Sequence, residues 1–341
     1  MKFGIFDHVD CSGVSIRDHL ENRLKIVEAY DRAGFHGYHV AEHHSTPLGF
    51  APSPGIYVSA VAQRTSRMKI GPLVFLLPLY EPLRLIEEIC MLDHMSGGRL
   101  MLGVGRGASP FELALYGVKM SDTQAMYDEA FKCIMHGLHN ETLSFEGKYY
   151  KYEDVPMLLK PLQTPHPELW YGVQHPDSTA WAAANDVNIV TLALNEGARQ
   201  VTDRYRKEWR ALGKSETDIP LMGVSRHIVV AETDKIAKDR ARRAYARWVA
   251  SFEKLWKDRG TSVRELVPAI GALFPTSWDE LEAIGNGCAG TPETVRRYVQ
   301  NEVAATGINY IVSWFAFGDL SVGEAVESAN LFSRHVMPAF A

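Results

Sequence analysis

The sequence is poor in cysteine and lacks every mark of a membrane, a nucleic-acid partner or a secretory route. Its four cysteines, Cys11, Cys90, Cys133 and Cys288, are widely spaced and form no C-x-x-C pair. That spacing excludes a disulfide framework and a zinc knuckle. No apolar run approaches the roughly 20 residues that span a bilayer. The first residues, Met1-Lys2-Phe3-Gly4-Ile5, run straight into strand-like sequence with no charged-then-apolar leader. Positive charge is not in excess either, with 36 Lys and Arg against 41 Asp and Glu, a net charge of −5. The most basic stretch, 235–247, alternates with Ala and Asp at a helical period. It reads as a solvated helix face, so no nucleic-acid partner is expected. Internal repeats and low-complexity linkers are absent as well. The expectation is a reduced, cytoplasmic, single-domain protein over 1–341, with 46% hydrophobic residues to build one large core.

What the sequence does contain is an alternation of short apolar runs with longer stretches of helical period. Strands are expected at 3–9, 37–42, 69–77, 100–104, 168–173, 189–194, 221–230 and 310–317. Helices are expected at 16–33, 54–65, 82–95, 124–138, 178–185, 197–212, 234–252, 292–306 and 322–335. Gly34 closes the first helix as a C-cap, and Pro82 opens another where a missing N–H costs nothing. Two segments interrupt the rhythm: a Tyr- and Pro-rich insertion at about 140–167, expected as a hairpin plus loop, and another at 259–290, before the last strand. Eight strands, nearly all followed by a helix, predict an α/β fold of the (β/α)8 TIM-barrel type. The fragment Gly103-Val104-Gly105-Arg106-Gly107 is only part of a dinucleotide-binding loop, since Ala108 follows and no ribose-binding acid is placed for it.

In such a barrel the chemistry lies at the C-terminal ends of the strands. Those ends read Asp7-His8, Glu42-His43-His44, Leu77-Pro78, Gly105-Arg106-Gly107, Gln174-His175, Arg226-His227 and Trp314 through Phe317. The Glu42-His43-His44 triplet admits three readings. Metal ligation is disfavoured, because neighbouring strand residues point apart and no H-E-x-x-H spacing is present. A second is structural, two histidines capping a strand end. The third is acid–base work near neutral pH, which imidazole suits. Arg106 between two glycines offers a phosphate fork, or a rim salt bridge. The helix start after Gln174, His175, Asp177 and Ser178 is a possible anion site, or a simple N-cap.

These residues resemble the bacterial luciferase-like flavin monooxygenases. The similarity rests on Ala41-Glu42-His43-His44, on Leu77-Pro78 with Pro82-Leu83-Arg84, and on Leu92-Asp93-His94-Met95-Ser96-Gly97-Gly98-Arg99. It continues through Gly105-Arg106-Gly107, Ala304 to Ile308 and His335-Val336-Met337-Pro338. The resemblance implies a TIM barrel with a non-prolyl cis peptide at Leu73-Val74. It implies reduced FMN (FMNH2) supplied by a separate flavin reductase and bound by Leu73, Val74, Gly105, Arg106, Gly107, Val173, Gln174, His175, Asp177 and Ser178. Oxygen would add to that flavin to give a C4a-peroxyflavin, with His43 as the acid–base group and Glu42 and His44 beside it. Apolar walls from Phe6, Phe75, Trp314 and Phe317 would receive a small, largely apolar substrate. Homodimers are the family habit. Three rivals are a deazaflavin-dependent hydride-transfer enzyme, a non-catalytic flavin-binding subunit, and a metal-dependent hydrolase using His8, His43, His44 and His175. This chain departs from the luciferases in the loop 108–112, in carrying Gln174-His175 where they have Glu-Ser, and in the composition of 259–290.

Overall fold

A computed structural model describes residues 1–340. In chain order the strands and helices are β1 (Lys2–Asp7), α1 (Ile16–Ala33), β2 (Gly37–Val40), α2 (Pro54–Arg64), β3 (Lys69–Pro72), β4 (Phe75–Leu76), α3 (Pro82–Ser96) and β5 (Met101–Gly105). Then come α4 (Pro110–Leu115), α5 (Thr123–His139), β6 (Thr142–Glu146), β7 (Lys151–Pro156), β8 (Glu168–Gly172), α6 (Ser178–Ala184), β9 (Asn188–Thr191) and α7 (Asn195–Ala211). The chain finishes with β10 (Met222–Val230), α8 (Asp234–Lys257), α9 (Val263–Leu266), α10 (Pro268–Gly271), α11 (Trp278–Ala283), β11 (Gly287–Gly290), α12 (Pro292–Thr306), β12 (Tyr310–Trp314) and α13 (Val322–His335).

The main sheet is parallel in the order β3-β2-β1-β12-β10-β9-β8-β5-β4. Its two end strands, β3 and β4, are consecutive pieces of one chain segment, so the sheet returns on itself as eight staves. Between them lies the cis peptide Leu73-Val74. Glycine makes the closure possible. A Cβ on Gly103 would lie 2.0 Å from the Pro72 carbonyl oxygen, and one on Gly71 2.0 Å from that of Met101. Only residues without side chains let β3 and β5 approach this closely. The barrel floor is filled by Leu73, Met101, Trp170, Val190, Tyr310 and Val312, with His39 hydrogen-bonded to the Tyr310 hydroxyl at 3.0 Å.

Helix ends follow their caps. Ser15 accepts from the Asp18 N–H and Gly34 closes α1 in the left-handed conformation, while Ser321 and Glu324 form a capping box on α13. The expected insertion at 140–167 is the antiparallel hairpin β6–β7 and its return loop. The second insertion is more ordered than the sequence suggests. It contains α9, α10 and α11, and it ends in β11, which pairs in parallel with β10 outside the ring. Two expectations are corrected here. Residues 110–112 of the expected loop 108–112 open α4, and Arg226 is not a rim residue. Its side chain is fully buried under α12, ion-paired with Glu302 at 2.9 Å.

The rim of β1 is braced from outside the barrel. Arg23 of α1 sits 3.1 Å from Asp7 and 3.0 Å from Asp10, and donates to the Ala316 carbonyl at 2.6 Å. Asp10 in turn accepts the Gly318 N–H. This buried knot ties the end of β1 to the chain leaving β12, and so fixes the side of the cavity that those two strands share.

Candidate active site

The C-terminal ends of the strands surround one cavity of about 560 Å³, within the usual range for a small-molecule site. Strand order divides its wall. β5 and β8 supply one side, while β1, β12 and β10 stand opposite them across the ring. β2 and the β3–β4 segment lie to one side between these, and bring the Glu42-His43-His44 segment to the mouth.

The three residues of that segment lie beyond the end of β2 at Val40 and differ in what they face. His43 lines the cavity. His44 turns away from it and is held at both nitrogens, by Glu42 at 2.9 Å and by the Tyr116 hydroxyl at 2.9 Å. Glu42 touches the cavity, but both its oxygens are engaged: one with His44, the other with the Leu76 N–H at 3.1 Å and the Tyr80 hydroxyl at 3.0 Å. Of the three residues expected to do chemistry, only His43 therefore presents a free group.

The partner that orients His43 is Glu112, on α4. Its carboxylate oxygens each lie 3.3 Å from His43 Nδ1, and one accepts the His44 backbone N–H at 2.7 Å. Burial works against the Glu112 charge, but His43, and then the His44 N–H, hold its carboxyl below the usual glutamate value. An ionised carboxylate only accepts, so Nδ1 of His43 carries the proton and Nε2 is left for the cavity. Glu112 escaped the sequence reading, although its signal was present. Ser109-Pro110-Phe111-Glu112 has the spacing of a helix start, and Ser109 does cap the Glu112 N–H at 3.3 Å.

On the β5–β8 side, Gly105, Arg106, Gly107, Gln174, His175 and Ser178 all line the cavity, joined by Gln124 and Tyr171. Arg106 is exposed and has no carboxylate within ion-pair distance among the described residues. Two expected members fall away. Val173 is wholly buried in the core, and Asp177 is solvent-facing, paired with His175 at 3.2 Å. The start of α6 also offers less than expected, because the Ser178 and Thr179 N–H groups are bound to the His175 and Pro176 carbonyls. Leu73 and Val74 form an apolar shelf between this side and the mouth.

The opposite side is aromatic. Phe6 and Trp314 stack at 5.1 Å, and α8 adds Trp248, Phe252 and Trp256. The second insertion contributes Val263, Val267, Ile270 and Phe274. Phe75 and Phe317 are corrections: neither reaches the cavity. Phe75 packs outward against Tyr80, and Phe317 lies behind the wall, stacked on Trp278. His8 stands among these rings and faces His43, ring centroids 5.3 Å apart. Burial first, then His43, His227 and Arg23, hold the His8 imidazole well below its ordinary pKa. No cluster of three or more His, Cys, Asp or Glu side chains is arranged to hold a metal ion among the described residues, so His8, His43, His44 and His175 do not form the set a metal hydrolase needs.

The family model for luciferase-like monooxygenases matches residues 1–310. The chain belongs to the luciferase-like monooxygenase family. Among its relatives, the uncharacterized protein y4wF of Sinorhizobium fredii is 36% identical over 99% of this chain and 96% of its own. The oxygenase component of a flavin-dependent trigonelline monooxygenase from Acinetobacter baylyi is 24% identical, over 100% and 96%. Among solved structures, monooxygenase RslO1 from Streptomyces bottropensis superposes with a TM-score of 0.87, 25% identical, over all of both chains. The oxygenating constituent of 3,6-diketocamphane monooxygenase from Pseudomonas putida, a type II Baeyer-Villiger enzyme in complex with FMN, gives 0.80 at 21%, over 100% and 99%. A coenzyme F420-dependent tetrahydromethanopterin reductase from Methanopyrus kandleri shares the fold at 0.73 and 17%, over 100% and 99%. Membership of the luciferase-like monooxygenases thus supports an oxygenase, and of these proteins the trigonelline enzyme is flavin-dependent and the 3,6-diketocamphane enzyme holds FMN. No helix among the described residues is long and apolar enough to cross a membrane.

Proposed function

We propose that this luciferase-like monooxygenase is the oxygenase component of a two-component system. It takes reduced FMN from a separate flavin reductase and uses O2 to oxygenate a small, largely apolar organic molecule. One observation carries the reading: a single cavity sets the His43–Glu112 pair between an unpaired cation, Arg106, and an aromatic wall.

The residues present fit FMN. Arg106, flanked by Gly105 and Gly107 and joined by Gln174 and Ser178, is a donor set suited to a phosphate. Gly105 keeps the strand end free of a side chain, since a Cβ there would lie 2.3 Å from Val74 Cγ2. The Leu73-Val74 shelf is suited to a flat, apolar-faced ring. Reduced flavin, when bound, supplies the electrons that activate oxygen, and the protein supplies position and electrostatics.

The protein's own part is threefold. Arg106 and its neighbours bind and orient through the phosphate. His43, its Nδ1 proton fixed on Glu112, holds or releases a proton at Nε2. Phe6, Trp248, Phe252, Phe274 and Trp314 exclude water from the side opposite the phosphate residues.

The test is turnover of a substrate panel with NADH, FMN and a generic flavin reductase, following products by mass spectrometry and free peroxide in parallel. His43→Ala is expected to keep FMN binding and to divert oxygen to peroxide with no product. Undiminished product formation by that variant would remove His43 from its role. Anaerobic reduction of a substrate by reduced deazaflavin would move the assignment to a hydride-transfer enzyme.

A further inference from the structure

The buried histidines of this protein fall into two groups. His19 and His44 spend both ring nitrogens on protein partners, Ser12 with the Val9 carbonyl and Glu42 with Tyr116; His39 spends Nε2 on the Tyr310 hydroxyl, and its unpartnered Nδ1 is buried in the barrel floor, off the cavity. His8 does not. It is 8% exposed, it lines the cavity, and neither ring nitrogen has a hydrogen-bond partner among the described residues. His227 also has an unpartnered Nε2, but it is sealed behind Trp314, 4.0 Å between ring centroids, and does not line the cavity. His8 is thus the one imidazole on the aromatic side whose polar atoms are directed at whatever enters.

We infer that His8 is the substrate anchor: the aromatic side of the cavity takes an uncharged, largely apolar molecule and holds its single oxygen function, a carbonyl or a hydroxyl, by a hydrogen bond to the His8 ring. Calling that molecule the substrate rests on the oxygenase reading above; the binding site itself does not.

The chemistry of the surroundings narrows the class. His8 is packed edge-on against Phe6 at 4.9 Å and Trp314 at 4.7 Å, with Trp248 at 5.8 Å. A neutral imidazole offers one donor and one acceptor, and burial keeps this ring neutral. A hydrocarbon would leave both atoms desolvated and unpaired, which is disfavoured. A carboxylate would need a cation, and the nearest to this side, Arg23, is committed to Asp7 and Asp10 behind the wall. An ammonium ion would need open ring faces. Here each indole already has stacked neighbours, Trp314 with Phe6 and Phe274, and Trp248 with Phe252 and Tyr245. A carbonyl or hydroxyl group on an apolar body satisfies His8 without adding charge.

The experiment is a titration of tryptophan fluorescence in the full chain without added flavin, since Trp248 and Trp314 border the site. The probes are 2-indanone, 2-indanol, the hydrocarbon indane and the anion indane-2-carboxylate. The wild type is expected to bind the ketone and the alcohol more tightly than the other two. His8→Phe, or His8→Leu should the larger ring not fold, is expected to lose about tenfold in affinity for the ketone while holding indane at least as well. His8→Gln, which keeps a donor and an acceptor, is expected to stay within about threefold of wild type. Thermal melting and FMN binding of each variant control for folding. The proposal is overturned by equal ketone affinity in His8→Phe, by an equal loss for indane, by tighter binding of the carboxylate, or by no saturable binding of ketone and alcohol. Ketone binding that depends on His8 without any oxygenated product would sink the oxygenase reading and leave this site standing. Product formation with binding indifferent to His8 would do the reverse.

Discussion

Glu112→Gln isolates one charge at the centre of the candidate site. The amide has the size of the carboxylate and can still accept the His44 N–H, now bound at 2.7 Å. That bond changes from charge-assisted to neutral, a loss of about 1–2 kcal/mol at pH 7. The 3.3 Å contacts to His43 add less, being long. Because the folded Glu112 carboxyl lies below the usual glutamate value, its contribution is complete above the unfolded pKa of about 4.3. It is lost as pH falls through the lower folded pKa. Urea unfolding at a series of pH values is therefore expected to show the wild type more stable at pH 7, with the two curves converging below about pH 4. Chemistry is affected separately. An amide that accepts from the His44 N–H turns its NH2 toward His43 Nδ1, which forces the imidazole proton to Nε2. With the acid–base group in the wrong tautomer, kcat for oxygenation is expected to fall by about 100-fold, while KM and FMN affinity stay close to wild type. Equal stability at pH 7 together with an unchanged kcat would refute the pairing.

Three further outcomes are expected. Arg106→Ala weakens FMN by more than tenfold but riboflavin hardly at all, since only FMN carries the phosphate; equal losses in a fluorescence titration would take the arginine out of that site. Arg226→Ala strips the buried Glu302 of its partner and costs about 3–5 kcal/mol in urea unfolding; a loss under about 1 kcal/mol would mean the pair is not desolvated as described. Gly103→Ala sets a Cβ against the Pro72 carbonyl where two backbones meet, so about 3 kcal/mol is lost with no side chain able to give way; a melting curve like the wild type's would contradict the close approach.

The fold was legible where the chain states its own boundaries. α1, α12 and α13 run as expected because each has a capping residue and a stop: Ser15 and Gly34, Thr291 and Gly307, Ser321 and the basic last turn of α13. The ends of four strands, β1, β2, β9 and β12, lie two or three residues before the expected ones. At the rim the ladder stops while the apolar composition continues into the cavity wall, as from Trp314 to Phe317. That is also why Phe317 was misplaced. Alternation assigns faces only while a residue is in the sheet, and β12 ends at Trp314. Phe75 failed for a related reason. The ladder is broken between Pro72 and Phe75, so the two-residue period cannot be carried across the gap. β11 was missed because Gly287-Cys288-Ala289-Gly290 carries no β-branched or aromatic signal; its strand character comes from pairing with β10.

The site was legible only in the parts that one stretch of chain can hold. Glu42-His43-His44 announces itself as three polar residues at a strand end, but the ladder stops at Val40, so pleating does not set which of them faces the cavity. What makes His43 distinct from His44 is not local. It depends on Glu112, 69 residues away, reaching the imidazole from a six-residue helix. The aromatic wall is equally non-local, since Trp248 and Phe252 read as the buried stripe of a long amphipathic helix, and Phe274 as part of an irregular insertion. Sequence patterns record which face of an element is apolar, but not whether that face meets another element or an open space. His8 shows the difference sharply. At the end of β1 it could equally have been a core histidine like His39, whose Nε2 is satisfied by Tyr310. Only the arrangement of the surrounding rings reveals that no atom of the described residues satisfies it, and the reason to assign it a ligand begins there.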